Sequence, residues 1–223
     1  MKKAITIGII ILVVLGFGWF LFKISPQDDN QSGQGGDLDL SNIQQLQAPR
    51  AVDDSDFILG DKTAKNTFIV YEDFQCPACA GFESTLLQIP GQLKDTKVVY
   101  RIFSLPNLHQ NALTSAYAAL AAGAQGKFWE FSEMLFDKQA EWEGLDDPSG
   151  QFADYAQSAG VANLDQFKND LATKKYKSRL QQDLREALGL NLPGTPSIFF
   201  NDQLLQLGDI NSIKAQAEKL YKN

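Results

Sequence analysis

Two cysteines, Cys76 and Cys79, are separated by two residues and stand between a predicted strand and a predicted helix. The strand is the apolar, β-branched and aromatic run 67–71, and the helix begins at the cysteines. A second predicted strand, 97–103, follows the helix. Strand, helix and strand in this order form a βαβ unit with parallel strands and a right-handed crossover. The fold is therefore expected to hold the cysteine pair between a buried strand and a helix N-terminus.

Helix-start geometry would favour the ionised form of the first cysteine. Cys76 is expected to be the N-cap residue, with Pro77 at the first helical position, where a missing N–H group costs no hydrogen bond. The backbone N–H groups of Ala78 and Cys79 would face the Cys76 sulfur, and the helix dipole would add to their effect. The pKa of Cys76 should therefore lie below the value of about 8.5 for a free cysteine. A stabilised thiolate is a good leaving group, so a Cys76–Cys79 disulfide would act as an oxidant, with Cys79 resolving mixed disulfides.

Two other roles for the cysteine pair are weaker. A zinc site needs further ligands, and His109, the only histidine of the chain, cannot supply them alone. A purely structural disulfide would close a very short loop and gain little loop entropy. Redox activity is favoured, and because the sequence has no flavin, metal or nucleotide motif, no cofactor is expected.

The middle of the chain predicts a block of helices. The first helix, from the cysteines, is expected to end near residue 88, before Pro90-Gly91. Later helices are predicted over 111–125, 127–138, 152–159 and 163–188. In the last of these, Asn163 and Gln166 would form a capping box and Gly189 a left-handed stop.

The end of the chain returns to β-structure. Strands are predicted at 197–200 and 203–207, joined by a hairpin turn at Asn201-Asp202, and a final helix at about 210–221. The order βαβ, several helices, ββα predicts an α/β fold with a central mixed sheet. The inserted all-helical segment would cover about 107–189.

The N-terminus predicts a membrane anchor. Residues 4–22 form an uninterrupted apolar run without charge, long enough to cross the hydrocarbon core of a bilayer as a helix. Lys2 and Lys3 precede the run, so the positive-inside rule places the N-terminus in the cytoplasm and the body outside it. An uncleaved anchor over residues 1–23 is favoured over a cleaved signal, because the run is long and no small-residue cleavage site follows. Either interpretation exposes the cysteines to an oxidising compartment.

Composition separates a linker from one folded domain. Residues 24–50 are rich in Gln, Gly, Asp and Ser, which is typical of a flexible linker. They leave residues 51–223 as one domain, and 44% hydrophobic residues in the whole chain suffice for a core. The 27 acidic residues outnumber the 20 basic ones, giving a formal net charge of −7. Because an acidic protein repels phosphate backbones, nucleic-acid binding is disfavoured.

A second motif, Gly194-Thr195-Pro196-Ser197, lies where the chain returns to strand. A proline that opens a strand has no N–H group to donate, and a cis Thr195–Pro196 bond would make a tight turn. In a fold of this order the turn faces the cysteine pair. The backbone of Thr195 would then be free to pair with an extended substrate segment. An ordinary loop proline is the alternative.

Three segments carry a resemblance to a known family: GDKTAKNTFIVYEDFQCPAC, LHQNALTSAYAALAAGAQGKFWEFSEMLF and GLNLPGTPSIFFND. In this order they resemble the DsbA-like thiol:disulfide oxidoreductases of bacterial cell envelopes, over roughly residues 52–223. The resemblance implies a thioredoxin-like fold with a helical insertion. It also implies that Cys76 reacts with substrate, that Cys79 resolves the mixed disulfide, and that the loop of Thr195 and Pro196 binds substrate.

Two positions depart from the family pattern. Many relatives have a buried glutamate, thought to handle protons, six residues before the first cysteine, where this chain has Val70. Glu72 or Asp73 could substitute; Asp73 is the candidate, although a surface or turn role is favoured for it. Strong oxidants of the family often place histidine second between the cysteines, and Pro77-Ala78 lacks it, so a milder potential is expected.

His109 and a group of aromatic residues have more ordinary interpretations. His109 precedes an alanine-rich helix, and a role at the helix start or in packing is favoured over chemistry. Phe128, Trp129, Phe131 and Phe136 have helical spacing and are expected in the core. Part of this aromatic group could instead line an apolar groove beside the active site.

The sequence thus predicts a membrane-anchored, extracytoplasmic thiol:disulfide oxidoreductase that is monomeric and faces the periplasm or the outer cell surface. Its partners would be reduced or misoxidised secreted or membrane proteins, and a membrane or small-molecule redox partner that restores its disulfide. Two alternatives stay open. The same exchange could run in reverse, as in a reductase or isomerase, or the protein could be a non-enzymatic surface chaperone with a structural disulfide.

Overall fold

A computed structural model describes residues 38–220 of the chain. Within this range there are five strands and eight helices. The strands are β1 (Phe57–Gly60), β2 (Asn66–Glu72), β3 (Thr96–Ile102), β4 (Ser197–Phe200) and β5 (Gln203–Leu204). The helices are α1 (Pro77–Gln92), α2 (Ala112–Gly123), α3 (Phe128–Asp137), α4 (Gln139–Trp142), α5 (Ser149–Ser158), α6 (Leu164–Ala172), α7 (Lys177–Gly189) and α8 (Ile210–Leu220).

The five strands form one mixed sheet in the order β1-β3-β2-β4-β5. β2 and β3 are parallel and joined through α1, with Val70 opposite Tyr100, so the predicted βαβ unit is confirmed. β4 and β5 form the predicted hairpin, although β5 is shorter than expected. Asn201 and Asp202 in its turn both have positive φ, as a tight hairpin requires. The edge strand β1, antiparallel to β3, was not predicted.

The two faces of the central strands carry different chemistry. Alternate side chains of a strand point to opposite faces of the sheet. Arg101 of β3 contacts Glu186 of α7, so it faces that helix. Tyr100 and Glu72 therefore face the opposite side, where the buried residues of α1 pack. This second face is the one that carries the cysteine pair.

The first helix is longer than expected. α1 continues through Pro90 to Gln92, so the predicted end before Pro90-Gly91 is wrong. A proline removes one backbone hydrogen bond from a helix interior. Here it lies within the last turn, and its ring packs against Gly60, where an added Cβ would come within 3.0 Å of the Pro90 Cβ.

The predicted helix 163–188 is wrong as a single element, because α6 and α7 are separated by a turn. Lys174 in this turn has a φ of 49°. The buried carboxylate of Asp170 accepts hydrogen bonds from Tyr176 Oη at 2.9 Å and Lys175 Nζ at 3.2 Å. These side-chain hydrogen bonds stabilise the turn. The prediction of one helix rested on the spacing of apolar residues, which contains no information about such polar contacts.

The ends of these two helices were predicted in part. The Asn163 side chain caps α6 by accepting a hydrogen bond from Gln166 N at 2.9 Å, as predicted. The Gln166 side chain reaches Asp170 rather than Asn163, so the capping box is not completed. Gly189 is the last residue of α7, and the left-handed position is Asn191, with a φ of 51°.

Residues 38–50 differ from the free linker that their composition predicted, because they lie against α7. Leu46 N donates a hydrogen bond to Gly189 O at 2.8 Å, and Arg185 binds the Asp39 carboxylate at 3.0 Å. The earlier part of the linker and the predicted anchor at 4–22 lie outside the described residues. Of the helices in residues 38–220, none combines the length and apolar character needed to span a membrane.

A buried ionic cluster joins the segment before β1 to β3 and α7. The fully buried Arg101 contacts Asp56 Oδ2 at 3.1 Å and Glu186 Oε1 at 2.6 Å. Arg50 contacts Asp56 at 2.8 Å and Asp183 at 3.0 Å. Buried charges are tolerated when they are paired in this way. The cluster therefore fixes the start of the domain against the face of the sheet opposite the cysteines.

Candidate active site

The cysteine pair occupies the turn between β2 and α1 and the first turn of α1. Cys76 is the N-cap residue in an extended conformation, Pro77 is the first helical residue, and Cys76 N donates to Asp73 O at 3.0 Å. Both cysteines are free thiols in this structure, Cys76 with 7% of its surface exposed and Cys79 with none. One sulfur is thus near the surface and the other lies in the core.

The environment lowers the pKa of Cys76 to about 5. The largest cause is a hydrogen bond with the Cys79 side chain; burial opposes it. Thr195 and the backbone N–H groups of Cys79 and Ala78 contribute further. The low pKa was expected, but its origin differs, because the neighbouring thiol contributes more than the helix-start amides.

The two cysteines have opposite protonation preferences. Burial raises the pKa of Cys79 far above its ordinary value, and the nearby Cys76 and Glu72 raise it further. At neutral pH Cys76 is therefore a thiolate and Cys79 a thiol. Such a pair combines a reactive outer sulfur with an inner sulfur whose proton must move whenever it reacts.

The Thr195–Pro196 loop faces the cysteines, and its peptide bond is cis. When Cys76 is protonated, its Sγ donates a hydrogen bond to the Thr195 carbonyl oxygen at 3.4 Å. Ser197 Oγ donates to Gly194 O at 2.7 Å and closes the loop. The motif predicted to oppose the cysteine pair therefore does so, and its carbonyl contacts the reactive sulfur in the dithiol form.

A groove of about 340 Å³ lies beside the cysteines, between α1, the Pro196 loop and the segment after β5. Its lining residues are Ala78, Gly81, Phe82, Thr85, Pro196, Leu207, Gly208 and Asp209. The aromatic residues of α3 do not supply it: Phe128, Phe131 and Phe136 are buried in the core, and the partly buried Trp129 packs against the core. Their core assignment is confirmed, whereas the idea that they line the groove is wrong. The apolar groove wall comes instead from Phe82 and the half-exposed Leu207.

Asp73 and His109 form a pair that holds the turn before Cys76. Asp73 Oδ1 accepts from Gln75 N at 2.9 Å, and Oδ2 accepts from Leu105 N at 2.8 Å. His109 Nδ1 lies 2.9 Å from the same Oδ2. These contacts fit the turn role favoured for Asp73 and the packing role favoured for His109. They also show that the Asp73 oxygens are already occupied.

Glu72 is a functional candidate to which sequence reasoning gave too little weight. It lies two residues after Val70 and therefore on the same face of β2. Glu72 is fully buried, and its carboxylate oxygens have no hydrogen bond of good geometry among the described residues, although the nearby Tyr100 hydroxyl favours the ionised form. Burial, followed by the nearby Glu83, raises its pKa well above the ordinary range.

In residues 38–220 no group of His, Cys, Asp or Glu side chains is arranged to hold a metal ion.

The strand–Cys-x-x-Cys–helix unit, the mixed sheet and the cis-proline loop together define a thioredoxin-like protein. A family model described as thioredoxin matches residues 53–219, and the chain belongs to this family. Among its curated relatives, disulfide bond formation protein D of Bacillus subtilis is 30% identical over 172 residues. The alignment covers 74% of this chain and 77% of that protein.

A second group of relatives is much longer than this chain. Na(+)/H(+) antiporter NhaA 1 of Mycolicibacterium vanbaalenii is 31% identical over 201 residues, which are 87% of this chain. The match covers 30% of the antiporter. The chain thus spans less than a third of the length of the antiporter relatives it matches.

Solved structures share the fold. The oxidised form of BdbD from Bacillus subtilis superposes with a TM-score of 0.71 at 24% identity, covering 82% of this chain and all of that one. MdbA, a thiol-disulfide oxidoreductase from Corynebacterium diphtheriae, has a TM-score of 0.60 at 22% identity, covering 79% of this chain and 96% of that one. The expected resemblance to DsbA-like thiol–disulfide oxidoreductases is confirmed: disulfide bond formation protein D is a relative of this kind, and thiol–disulfide oxidoreductases are structural neighbours of the chain.

Proposed function

We propose that this chain oxidises thiols of secreted or membrane proteins by donating a Cys76–Cys79 disulfide to them. The observation that carries the proposal is the opposite shift of the two cysteine pKa values, lowered at Cys76 and raised at Cys79. A low pKa makes the Cys76 thiolate stable, and a disulfide whose reduced form is stabilised is an oxidant.

The exchange balances as a two-electron transfer. A substrate thiolate attacks the Cys76 sulfur, the Cys76–Cys79 bond breaks, and Cys79 leaves and takes up a proton. A second substrate thiolate then attacks the substrate sulfur of the mixed disulfide and releases Cys76 as a thiolate. The substrate gains a disulfide, and the enzyme becomes a dithiol. A membrane or small-molecule oxidant must then accept two electrons to restore the Cys76–Cys79 disulfide.

The groove beside the cysteines supports an extended polypeptide as substrate. It lies next to Pro196 and is lined by the apolar side chains of Phe82 and Leu207. An extended segment could lie along this groove and place its cysteine over Cys76, with Thr195 offering backbone groups once its contact with Cys76 is released. Substrate selection would then depend on apolar neighbours of the substrate cysteine.

The predicted anchor supports a site on the outer side of a cell membrane. The run 4–22 and the lysines before it would hold the N-terminus in the cytoplasm and the domain, as a monomer, outside. Fractionation of cells that produce the full chain tests this part. The proposal requires a membrane-bound protein whose domain is cleaved by protease added to the outside of spheroplasts.

The redox potential of the pair decides the direction of exchange. Equilibration with glutathione buffers should give a value between that of protein disulfide isomerase, about −180 mV, and that of DsbA, about −120 mV. A value near that of thioredoxin, about −270 mV, would instead indicate a reductase.

Refolding of a reduced client protein separates the enzyme from a chaperone. The oxidised wild type should accelerate disulfide formation in the client, and Cys76→Ser should not. Ser84→Ala, at an exposed position on the same helix, is the matched control and should retain the wild-type rate. Equal acceleration by wild type and Cys76→Ser would contradict the proposal and favour a binding role.

A further inference from the structure

The turn that carries Cys76 is fixed on its N-terminal side by a buried amide side chain. Residues 73–76 connect the end of β2 with the start of α1. Gln75, the residue before Cys76, is buried, and both ends of its side chain are bonded. Its Oε1 accepts a hydrogen bond from Asn111 N at 2.6 Å, and its Nε2 donates one to Glu143 O at 2.8 Å. Neither partner lies in the sheet or in α1, so Gln75 joins the turn to a separate part of the fold.

This separate part is the helical insertion, which is the set of helices α2 to α7 between β3 and β4. Asn111 directly precedes α2, and Glu143 directly follows α4. Gln139, the first residue of α4, donates from Nε2 to Phe74 O at 2.8 Å and so adds a further bond to the same turn. Gln75, Asn111 and Gln139 together form an amide clamp, and all three are buried. Buried polar groups with all their partners in place hold one geometry, because a displacement would leave a group unpaired.

Asn111 also holds the segment that follows α4. Its Nδ2 donates to Leu145 O at 2.8 Å and lies 3.3 Å from both Trp142 O and Glu143 O. Its backbone N–H binds Gln75, so one asparagine connects the start of α2, the end of α4 and the turn before the cysteines. The position of this turn therefore depends on how the insertion is packed.

Cys76 has little freedom between the amide clamp and α1. Its N–H donates to Asp73 O at 3.0 Å. Pro77 restricts the residue before it to extended conformations, and Cys76 has a φ of −76° and a ψ of 120°. The direction of the Cys76 side chain is thus determined by Gln75 on one side and the helix start on the other. The sulfur lies 3.4 Å from the Thr195 carbonyl oxygen, and polar contacts of this kind weaken steeply with distance and angle.

We propose that Gln75 is a positioning residue through which the helical insertion sets the reactivity of Cys76. The inference rests on the proposed function, because it takes Cys76 as the reacting sulfur. The clamp holds Gln75 where the Cys76 sulfur meets the Thr195 loop and the N–H groups that begin α1. With the clamp open, the turn can shift and the thiolate loses part of these contacts. The pKa of Cys76, which is about 5 in the intact protein, should then rise towards its ordinary value.

Gln75→Met tests this role because methionine has a similar length and cannot make either hydrogen bond. Hydrogen exchange of the Asn111 N–H, which loses its acceptor, shows whether the clamp is open. The pH dependence of Cys76 alkylation by iodoacetamide gives the pKa, and equilibration with glutathione gives the redox equilibrium constant. We expect accelerated exchange at Asn111 and a rise of about one unit in the pKa of Cys76. The equilibrium constant for oxidation of glutathione by the protein disulfide should fall about tenfold.

Gln110→Ala is the matched control. Gln110 is exposed, and its Nε2 donates to Glu143 O at 3.3 Å and to Leu145 O at 3.1 Å, which are carbonyl groups that the clamp also uses. Within residues 38–220 its side chain has no hydrogen bond to the turn that carries Cys76. Removing this amide should therefore leave the alkylation midpoint and the redox equilibrium of the wild type unchanged.

Three results would overturn the proposal. The first is an alkylation midpoint and a redox equilibrium of Gln75→Met that equal those of the wild type, which would leave Gln75 a purely structural role. The second is a shifted midpoint without accelerated exchange at Asn111, since the insertion would then have no part in the effect. The third is a shift of the same size in Gln110→Ala.

A second variant covers the case in which Gln75→Met does not fold. Gln75→Asn keeps an amide but is too short to reach both partners, and the same three measurements on it then decide. Failure of the proposed function would look different, because the wild type itself would not oxidise a reduced client protein. The dependence of the Cys76 pKa on Gln75 would be unaffected by that result.

Discussion

The sulfur of Cys76 lies 3.4 Å from the carbonyl oxygen of Thr195, a residue 119 positions further along the chain. The contact brings the start of α1 against the loop before β4. The properties of the reactive sulfur therefore depend on two distant segments and not on the helix start alone. Variants in either segment should change the pKa of Cys76 while leaving the helix intact.

Replacing Thr195 by valine removes its hydroxyl group at nearly constant volume. The buried Thr195 hydroxyl has no hydrogen-bond partner among the described residues in the dithiol form and can donate to the Cys76 thiolate, which lowers the pKa of Cys76, so we expect this pKa to rise from about 5 in Thr195→Val. A rise of about one unit corresponds to roughly 1.4 kcal/mol of lost thiolate stabilisation. The pH dependence of Cys76 alkylation by iodoacetamide measures it. Thr85→Val, elsewhere in the groove, is the control, and equal titrations of both variants would contradict the assigned role.

Removing the Cys79 thiol should raise the pKa of Cys76 more than any other single change. Its hydrogen bond is the largest cause of the low value, so Cys79→Ala should titrate well above about 5. Cys79→Ser keeps a hydroxyl donor and should titrate between Cys79→Ala and the wild type. Alkylation profiles distinguish the three proteins. Variant profiles that both coincide with the wild-type profile would show that the helix amides, and not the thiol, lower the pKa.

The buried ionic cluster predicts a large loss of stability when its central cation is removed. Arg101→Met removes the guanidinium group that pairs with the buried carboxylates of Asp56 and Glu186. The free energy of unfolding should therefore fall by about 3 kcal/mol. Urea unfolding followed by circular dichroism measures it. Lys127→Met breaks an exposed pair with Glu130 and should cost less than about 1 kcal/mol. Similar small losses in both variants would mean that Arg50 replaces Arg101.

Gly189 should be intolerant of a side chain because the chain before β1 crosses it. A Cβ atom at this position would collide with the carbonyl oxygen of Gln44. We expect Gly189→Ala to displace the segment around Leu46 and to increase its amide hydrogen exchange. Gly150→Ala, in a helix with no atom near the added Cβ, should leave exchange unchanged and stabilise the helix by about 0.5–1 kcal/mol. Unchanged amide exchange in Gly189→Ala would show that the segment around Leu46 shifts to fit the added Cβ atom while it stays bound to α7.

Local patterns predicted the parts of the fold and site that depend on neighbouring residues. The run 67–71 and the Cys76–Cys79 motif are each contained within a few residues, and both gave the correct element. The position of Pro196 opposite the cysteines followed from the order of elements. The split between α6 and α7 did not follow, because the turn depends on Asp170, whose burial is invisible in the apolar spacing.

Long-range contacts account for the rest. The strand β1 is short and only partly buried, and its pairing with β3 has no local signal. The bonds of Arg50 to Glu186 and Asp183 join residues more than 130 positions apart. Glu72 is a different case, since its two-residue separation from Val70 already placed both on one face. The alternation of side chains along a strand could have identified it.

The contacts of residues 38–50 with α7 have a mechanical consequence. Any pull on the chain from its N-terminal side reaches Asp39 first, and from there Arg185 and α7, before it can reach the sheet. The next contacts along the chain are the ion pairs of Arg50, which lie on the face of the sheet away from Cys76. If residues 4–22 hold the domain at a membrane, as proposed, a force along the tether would act on these contacts before it could change the distance between the two sulfurs.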